Sequence, residues 1–159
     1  MPDIEQEFIR DCWYVAGWSE DFTHTLTPLR ILDEPIVVFR TEAGVPAALE
    51  DACPHRKLPL SKGRLTGETV ECGYHGLTFD CSGACVRAPT QDGPPPAVTV
   101  RSYPVEDRWG ILWIWMGDAD KADPDEIFEI PNYDNPAWGR TQGGSMDIAC
   151  HYLYVVDNL

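Results

Sequence analysis

Cys53-Pro54-His55 and Cys72-Gly73-Tyr74-His75 decide how this chain is read. Each segment carries one thiol and one imidazole, and sixteen residues lie between the two segments. Matched Cys/His pairs let each segment give one ligand to each of two metal ions. A two-iron, two-sulfide cluster with two cysteines on one iron and two histidines on the other calls for that arrangement. Neutral imidazoles carry less negative charge than thiolates, so such a cluster takes up an electron more readily. Its potential lies at roughly −150 to +300 mV, against about −400 mV for an all-cysteine plant-type cluster. Pro54, Gly73 and Gly76 stand beside the candidate ligands and are turn formers, as two tight ligand loops require.

Two plainer readings compete. Buried free cysteines and hydrogen-bonded histidines are common in ordinary cores. Tetrahedral zinc also accepts a Cys2His2 set, but its ligands usually come as Cys-x2–4-Cys and His-x3–5-His, each pair of one kind. The mixed pairs here favour a Rieske-type [2Fe–2S] centre, with Cys53, His55, Cys72 and His75 as its candidate ligands.

Length and composition bound what surrounds this motif. A chain of 159 residues makes one full domain, or one domain and part of another. The net charge of −14, with no sustained basic stripe, argues against nucleic acid as a partner. No stretch of eighteen apolar residues exists, and the acidic N-terminus lacks a basic-then-apolar export signal. The expectation is a soluble cytoplasmic protein with no membrane partner. Without export, the six cysteines are better read as reduced thiols and metal ligands than as a disulfide framework. Cys81 and Cys85 bracket a Ser-Gly-Ala hairpin turn and form a weak second candidate pair, while Cys12 and Cys150 read as core or surface residues.

The first two thirds read as mainly β, a small antiparallel sandwich or barrel with a cluster-binding subdomain. Strands are expected at 30–33, 35–40, 45–49, 98–105 and 111–115, the last apolar enough to be covered on both faces. A short helix around Glu7–Cys12 is possible, and Gln91–Ala97 reads as an extended surface loop. Beyond Gly117, six acidic residues between Asp118 and Glu129 and two later prolines mark a connector or a solvated loop. The expected division is 1–117 for the cluster domain, 118–137 for the connector and 138–159 for the truncated start of an α+β domain. In that last segment, 145–157 reads as a strand entering a helix.

Cys53-Pro-His-Arg, Cys72-Gly-Tyr-His-Gly-Leu-Thr-Phe-Asp80 and Ile111-Leu-Trp-Ile-Trp115 resemble the N-terminal domain of the Rieske non-haem iron aromatic-ring oxygenases, oxygenase (alpha) subunit. The Tyr-His-Gly-Leu variant is most similar to the vanillate and dicamba O-demethylase branch. The resemblance implies an enzyme that takes electrons from a reductase or ferredoxin through the cluster to a mononuclear non-haem Fe(II). That iron would activate O2 for monooxygenation or demethylation of an aromatic small molecule, in a homotrimer. It also implies that Asp157, in Asp157-Asn158-Leu159, is a bridging carboxylate between His75 of a neighbouring subunit and an iron histidine. The alternative for Asp157 is a helix N-cap. Leu58 and Tyr74 stand where high-potential relatives carry disulfide cysteines, and Leu77 and Phe79 where they carry hydroxyl donors. Fewer donors to the cluster sulfurs favour the lower end of the Rieske range. Arg56, Lys57, Lys62, Arg64 and Arg87 gather around the ligand segments as a patch for an acidic donor, or as ordinary surface charge. The alternative function is a stand-alone Rieske ferredoxin-type electron carrier. The chain as it stands holds only the electron-transfer part, and is expected to be inactive alone.

Overall fold

The computed structural model describes residues 8–89, 97–141, 143–144 and 146–159. Apart from Ala97, the expected Gln91–Ala97 loop lies outside these residues. The chain divides into two compact units, Met1–Glu129 and Ile130–Leu159, and the boundary falls inside the expected connector.

The first unit is mainly β, with three antiparallel sheets. One contains β1 (Trp13–Trp18), β11 (Ile111–Trp115) and β10 (Val105–Arg108), in that order. The second runs β2 (Thr27–Ile31), β3 (Glu34–Arg40), β4 (Pro46–Glu50) and β9 (Ser102–Tyr103). The third, smaller sheet runs β5 (Arg64–Thr66), β6 (Thr69–Glu71), β7 (Thr78–Phe79) and β8 (Cys85–Arg87).

Strand β3 explains the layering. Its run Ile36-Val37-Val38-Phe39 is fully buried, as expected of a strand covered on both faces. Ile36 and Val38 enter one core with Leu112, Ile114 and Met116, while Val37 and Phe39 enter another with Leu60, Val70 and Phe79. The second sheet is therefore a platform, packed on one side against the first sheet and on the other against the cluster-binding subdomain. Cys53 and Cys72 belong to that second core.

Three expectations need correction. Residues 8–12 are not helical; Asp11 takes a left-handed φ of 54°, and the chain goes directly into β1, which pairs with β11. The single strand expected over 98–105 is broken at Pro104, which has no N–H to give to a ladder. Tyr103 pairs with Ala48 before it and Val105 with Ile114 after it, so the proline is where the chain changes sheets. Strand β11 is covered less evenly than expected, with Leu112, Ile114 and Trp115 buried but Ile111 and Trp113 partly exposed.

In the second unit, the helix expected within 145–157 is limited to α1 (Tyr152–Val156), and among the described residues of that unit no strand precedes it. Among the described residues no helix is long and apolar enough to cross a membrane.

Polar side chains tie the layers together. Arg40, on β3, donates to Asp107 Oδ2 at 2.6 Å and Ser19 Oγ at 2.7 Å, joining the second sheet to the first. At the other end of β3, Glu34 accepts from Arg10 at 2.6 Å, Tyr103 Oη at 2.7 Å and Arg101 at 3.0 Å. Burial pulls the Glu34 carboxyl upward, but hydrogen bonds from Tyr103 and Arg10 and the Arg101 charge outweigh it, and its pKa lies below the ordinary value. A lowered folded-state pKa adds stability that is present above the unfolded value and lost as pH falls through the folded one. Glu34→Gln is expected to destabilise the chain by about 1–3 kcal/mol at pH 7. In urea titrations the gap to wild type should persist at pH 5 and close below about pH 4.

Candidate metal centre

The two segments singled out by their spacing form twin loops. In the first, the Cys53 N–H donates to Leu58 O at 2.9 Å and the Lys57 N–H to Cys53 O at 2.7 Å. In the second, the Cys72 N–H donates to Leu77 O at 2.8 Å and the Gly76 N–H to Cys72 O at 3.0 Å. The same two bonds thus close each loop, from residues four and five places after the cysteine. The residue four places on is left-handed in both, with φ 55° at Lys57 and 71° at Gly76. Glycine adopts that conformation freely, whereas a side chain there is strained by roughly 1–2 kcal/mol.

The segment just after the first loop meets the second loop backbone to backbone. A β-carbon at Gly63 would collide with Glu71 O, and one at Gly73 would stand 3.0 Å from Lys62 O. All four candidate ligands line one recess. Cys53 and Cys72 lie beneath the loops, 2% and 3% exposed, while His55 is exposed and His75 half-buried. The two imidazoles face each other, Nδ1 to Nδ1, at 3.1 Å. A shallow recess open to solvent lies among the four, with Leu58 and Leu77 as apolar walls. The exposed Tyr74 ring lies against His75 with centroids 3.8 Å apart.

The donor set fits a two-iron cluster. Nitrogens 3.1 Å apart, each about 2.0–2.1 Å from one metal, subtend roughly 95–100° there, a reasonable ligand angle. Burial pushes the Cys53 thiol pKa up, and the neighbouring Cys72 sulfur adds to this, while backbone hydrogen bonds from His55 and Arg56 act against it. Two buried sulfurs side by side suit a cation that holds both as thiolates. Among the described residues no three His, Cys, Asp or Glu side chains converge on a single ion.

The remaining candidates are placed as follows. Cys81 Sγ lies 3.4 Å from Glu68 O and Cys85 Sγ 3.5 Å from Arg87 O, each thiol turned to a backbone carbonyl. All six cysteines are free. Phe79 is fully buried and Leu77 lines the recess, so neither position offers a hydroxyl. Asp157 follows α1 and its N–H donates to Leu153 O at 2.9 Å, so within the described residues it ends a helix instead of capping a start. Sequence reasoning missed Lys57 as a loop-forming residue, because no spacing rule puts a lysine where its twin is glycine. It also missed Asp51, which is buried and accepts from both the N–H and the hydroxyl of Ser61.

Backbone strain should be readable by substitution. Lys57→Gly is expected to raise stability by about 0.5–1 kcal/mol in chemical denaturation, by relieving the left-handed side chain. Gly76→Ala adds a β-carbon 2.9 Å from Pro89 Cγ at a left-handed φ, and should cost at least about 1 kcal/mol by the same measurement.

Comparison with known proteins agrees with this geometry. The Rieske [2Fe-2S] domain model matches residues 12–104. The toluene-4-sulfonate monooxygenase system iron-sulfur subunit of Comamonas testosteroni is 44% identical over 153 residues, covering 96% of this chain and 44% of that protein. The oxygenase component of dicamba O-demethylase from Stenotrophomonas maltophilia is also 44% identical over 153 residues, covering 96% of this chain and 45% of its own length. A crystal structure of dicamba monooxygenase with non-heme iron and dicamba superposes with a TM-score of 0.89 at 44% identity, covering 95% of this chain and 46% of that one. The chain spans less than half the length of these relatives. With a family model matched over more than half its residues, the chain belongs to the Rieske [2Fe–2S] domain family.

Proposed function

We propose that this chain is the electron-receiving part of the oxygenase component of a Rieske-type aromatic monooxygenase or O-demethylase. Cys53 and Cys72 hold one iron of the cluster, and His55 and His75 hold the other. The observation that carries this reading is the pair of facing Nδ1 atoms, 3.1 Å apart, above two buried sulfurs. When bound, the cluster takes up and passes on one electron at a time. The protein's own residues shape that step. Leu58 and Leu77 give the recess apolar walls, the buried cysteines lie away from solvent, and the histidine pair offers the accessible side.

The matches to oxygenase and iron-sulfur components extend over 153 residues, well beyond the 12–104 of the cluster domain. This favours the oxygenase reading over a stand-alone carrier, for which the cluster domain would suffice. For a methoxyarene the whole protein would convert ArOCH3, O2, two electrons and two protons into ArOH, formaldehyde and water. A mononuclear Fe(II) outside the described residues would activate the O2, in a homotrimer. Asp157, as a bridging carboxylate, would accept hydrogen bonds from His75 of a neighbouring subunit and from an iron histidine, so that the electron passes between the two metal sites along that path. The Asp157 side chain is exposed, and within the described residues it accepts no hydrogen bond.

Charge pairing narrows the face for the donor. Seven of the twelve basic residues are in ion pairs, among them Lys57 with Glu50 at 3.5 Å and Arg87 with Glu71 at 3.2 Å. Arg108 and Arg140 lie over the Trp109 and Tyr133 rings. Arg56, Lys62 and Arg64 are left without an anionic partner among the described residues, and all three are exposed. Three unneutralised cations beside the first ligand loop of a strongly acidic chain suit an acidic reductase or ferredoxin.

The wild-type chain loaded with its cluster should be coloured and show an EPR signal on one-electron reduction. A colourless, EPR-silent, zinc-containing protein would overturn the reading. Replacing Arg56, Lys62 and Arg64 by Gln should slow reduction by an acidic [2Fe–2S] ferredoxin about tenfold at low salt and flatten its salt dependence. Reduction by dithionite should be unchanged. In the whole protein, Asp157→Asn should leave cluster reduction intact and slow its reoxidation during turnover by about 10–100-fold.

A further inference from the structure

The twin ligand loops are alike inside but closed differently at the neck. The second loop, Cys72–Leu77, is the connection of a β-hairpin, and its flanking residues Glu71 and Thr78 pair directly in the β6–β7 ladder. The first loop, Cys53–Leu58, has no such ladder. Strand β4 ends at Glu50, and beyond the loop the chain passes through Pro59 and a 3₁₀ turn, Leu60–Lys62, into β5, whose partner is β6.

A single side chain stands where that ladder is missing. Asp51 is 7% exposed and directs both carboxylate oxygens to Ser61. Its Oδ1 accepts the Ser61 N–H and its Oδ2 the Ser61 hydroxyl, each at 2.6 Å. The Asp51 N–H donates to Pro35 O at 2.9 Å, which fixes the carboxylate to β3 of the central platform. Charge-assisted hydrogen bonds of this length are strong, and leaving a buried carboxylate without them is costly. The bonds join the chain on either side of the loop that carries Cys53 and His55. They also hold Ser61 two residues from Gly63, whose backbone lies against Glu71 at the foot of the second loop.

We propose that Asp51, acting through Ser61, is a positioning residue that holds the first ligand loop against the second. On this proposal it sets how long the cluster is retained and how the two histidines face each other. The inference rests on Cys53, His55, Cys72 and His75 being the ligands. Asp51 touches neither cluster nor substrate; it replaces, with one side chain, the ladder that steadies the second loop.

The test uses the full chain carrying its cluster, with Ser61→Ala to remove one of the two bonds and Ser61→Thr to keep a hydroxyl. Asp107→Asn serves as a control that weakens the fold away from the loops, where Asp107 accepts from Ser19 and Arg40. Bleaching of visible absorbance under an iron chelator gives the rate of cluster loss, and EPR of the reduced cluster reports the histidine geometry. Ser61→Ala should lose its cluster about tenfold faster than wild type and broaden or shift the EPR signal. Ser61→Thr should restore both, and Asp107→Asn should lower the unfolding midpoint while moving neither. Wild-type kinetics and spectrum in Ser61→Ala, or the same changes in Asp107→Asn, would overturn the clamp while leaving the ligand reading in place. Failure of the wild-type chain to give the EPR signal of a histidine-ligated cluster would overturn the ligand reading, and the clamp with it.

Discussion

The placing of the candidate ligands depends on a close backbone approach, where Lys62 and Gly63, just beyond the first ligand loop, meet Gly73 in the second and Glu71 at its foot. Neither loop carries a core of its own, so each is steadied by the other and by the platform below. Side chains at those two glycines would drive the loops apart, because the groups they would meet are the carbonyls of Glu71 and Lys62, not side chains that can turn aside. Once the backbones touch, the cysteine four residues before each left-handed position falls beneath the loops and the histidine above. A separation of about an ångström would take the two imidazoles out of reach of a common iron, since metal–nitrogen bonds are only about 2 Å long.

The platform explains why so small a subdomain can be rigid. Strand β3 buries alternate residues into two different cores, so the sheet beneath the loops cannot slide toward one face without opening the other. A one-residue shift in its register would exchange the two sets of side chains completely. Arg40 and Glu34, at opposite ends of the same strand, add polar ties across layers that apolar packing alone leaves free to rotate. Rigidity in this sheet is therefore passed to the ligands, through Cys53 and Cys72, which pack in the core that Val37 and Phe39 help to form.

Much of this was legible in the residues, for a physical reason. Ligand chemistry restricts residue type strongly, so Cys53, His55, Cys72 and His75 are marked by identity and spacing alone. The β3 run was equally clear, because a strand buried on both faces can hold little else but apolar residues. What escaped detection depends on partners distant in sequence. Nothing local in residues 8–12 decides between a short helix and the approach to a strand, and Pro104 falls inside one expected strand until two sheets are seen to claim its neighbours. Lys57 gives no local sign of a left-handed backbone. Asp51 is one acidic residue among many in an acidic chain, and only its burial and its bond to Ser61 set it apart.

The two ligand loops also divide their work by chemistry. On the proposed ligand set, thiolate sulfurs would carry the negative charge of the cluster and gain from burial, with backbone N–H groups of His55 and Arg56 directed at Cys53. Imidazoles ligate as neutral groups and tolerate exposure, so the histidine side would be the one that a donor approaches. Arg56, Lys62 and Arg64, without an ion-pair partner among the described residues, stand in and just after the first loop. With a net charge of −14 on the chain, that local positive charge would give an acidic donor a direction of approach.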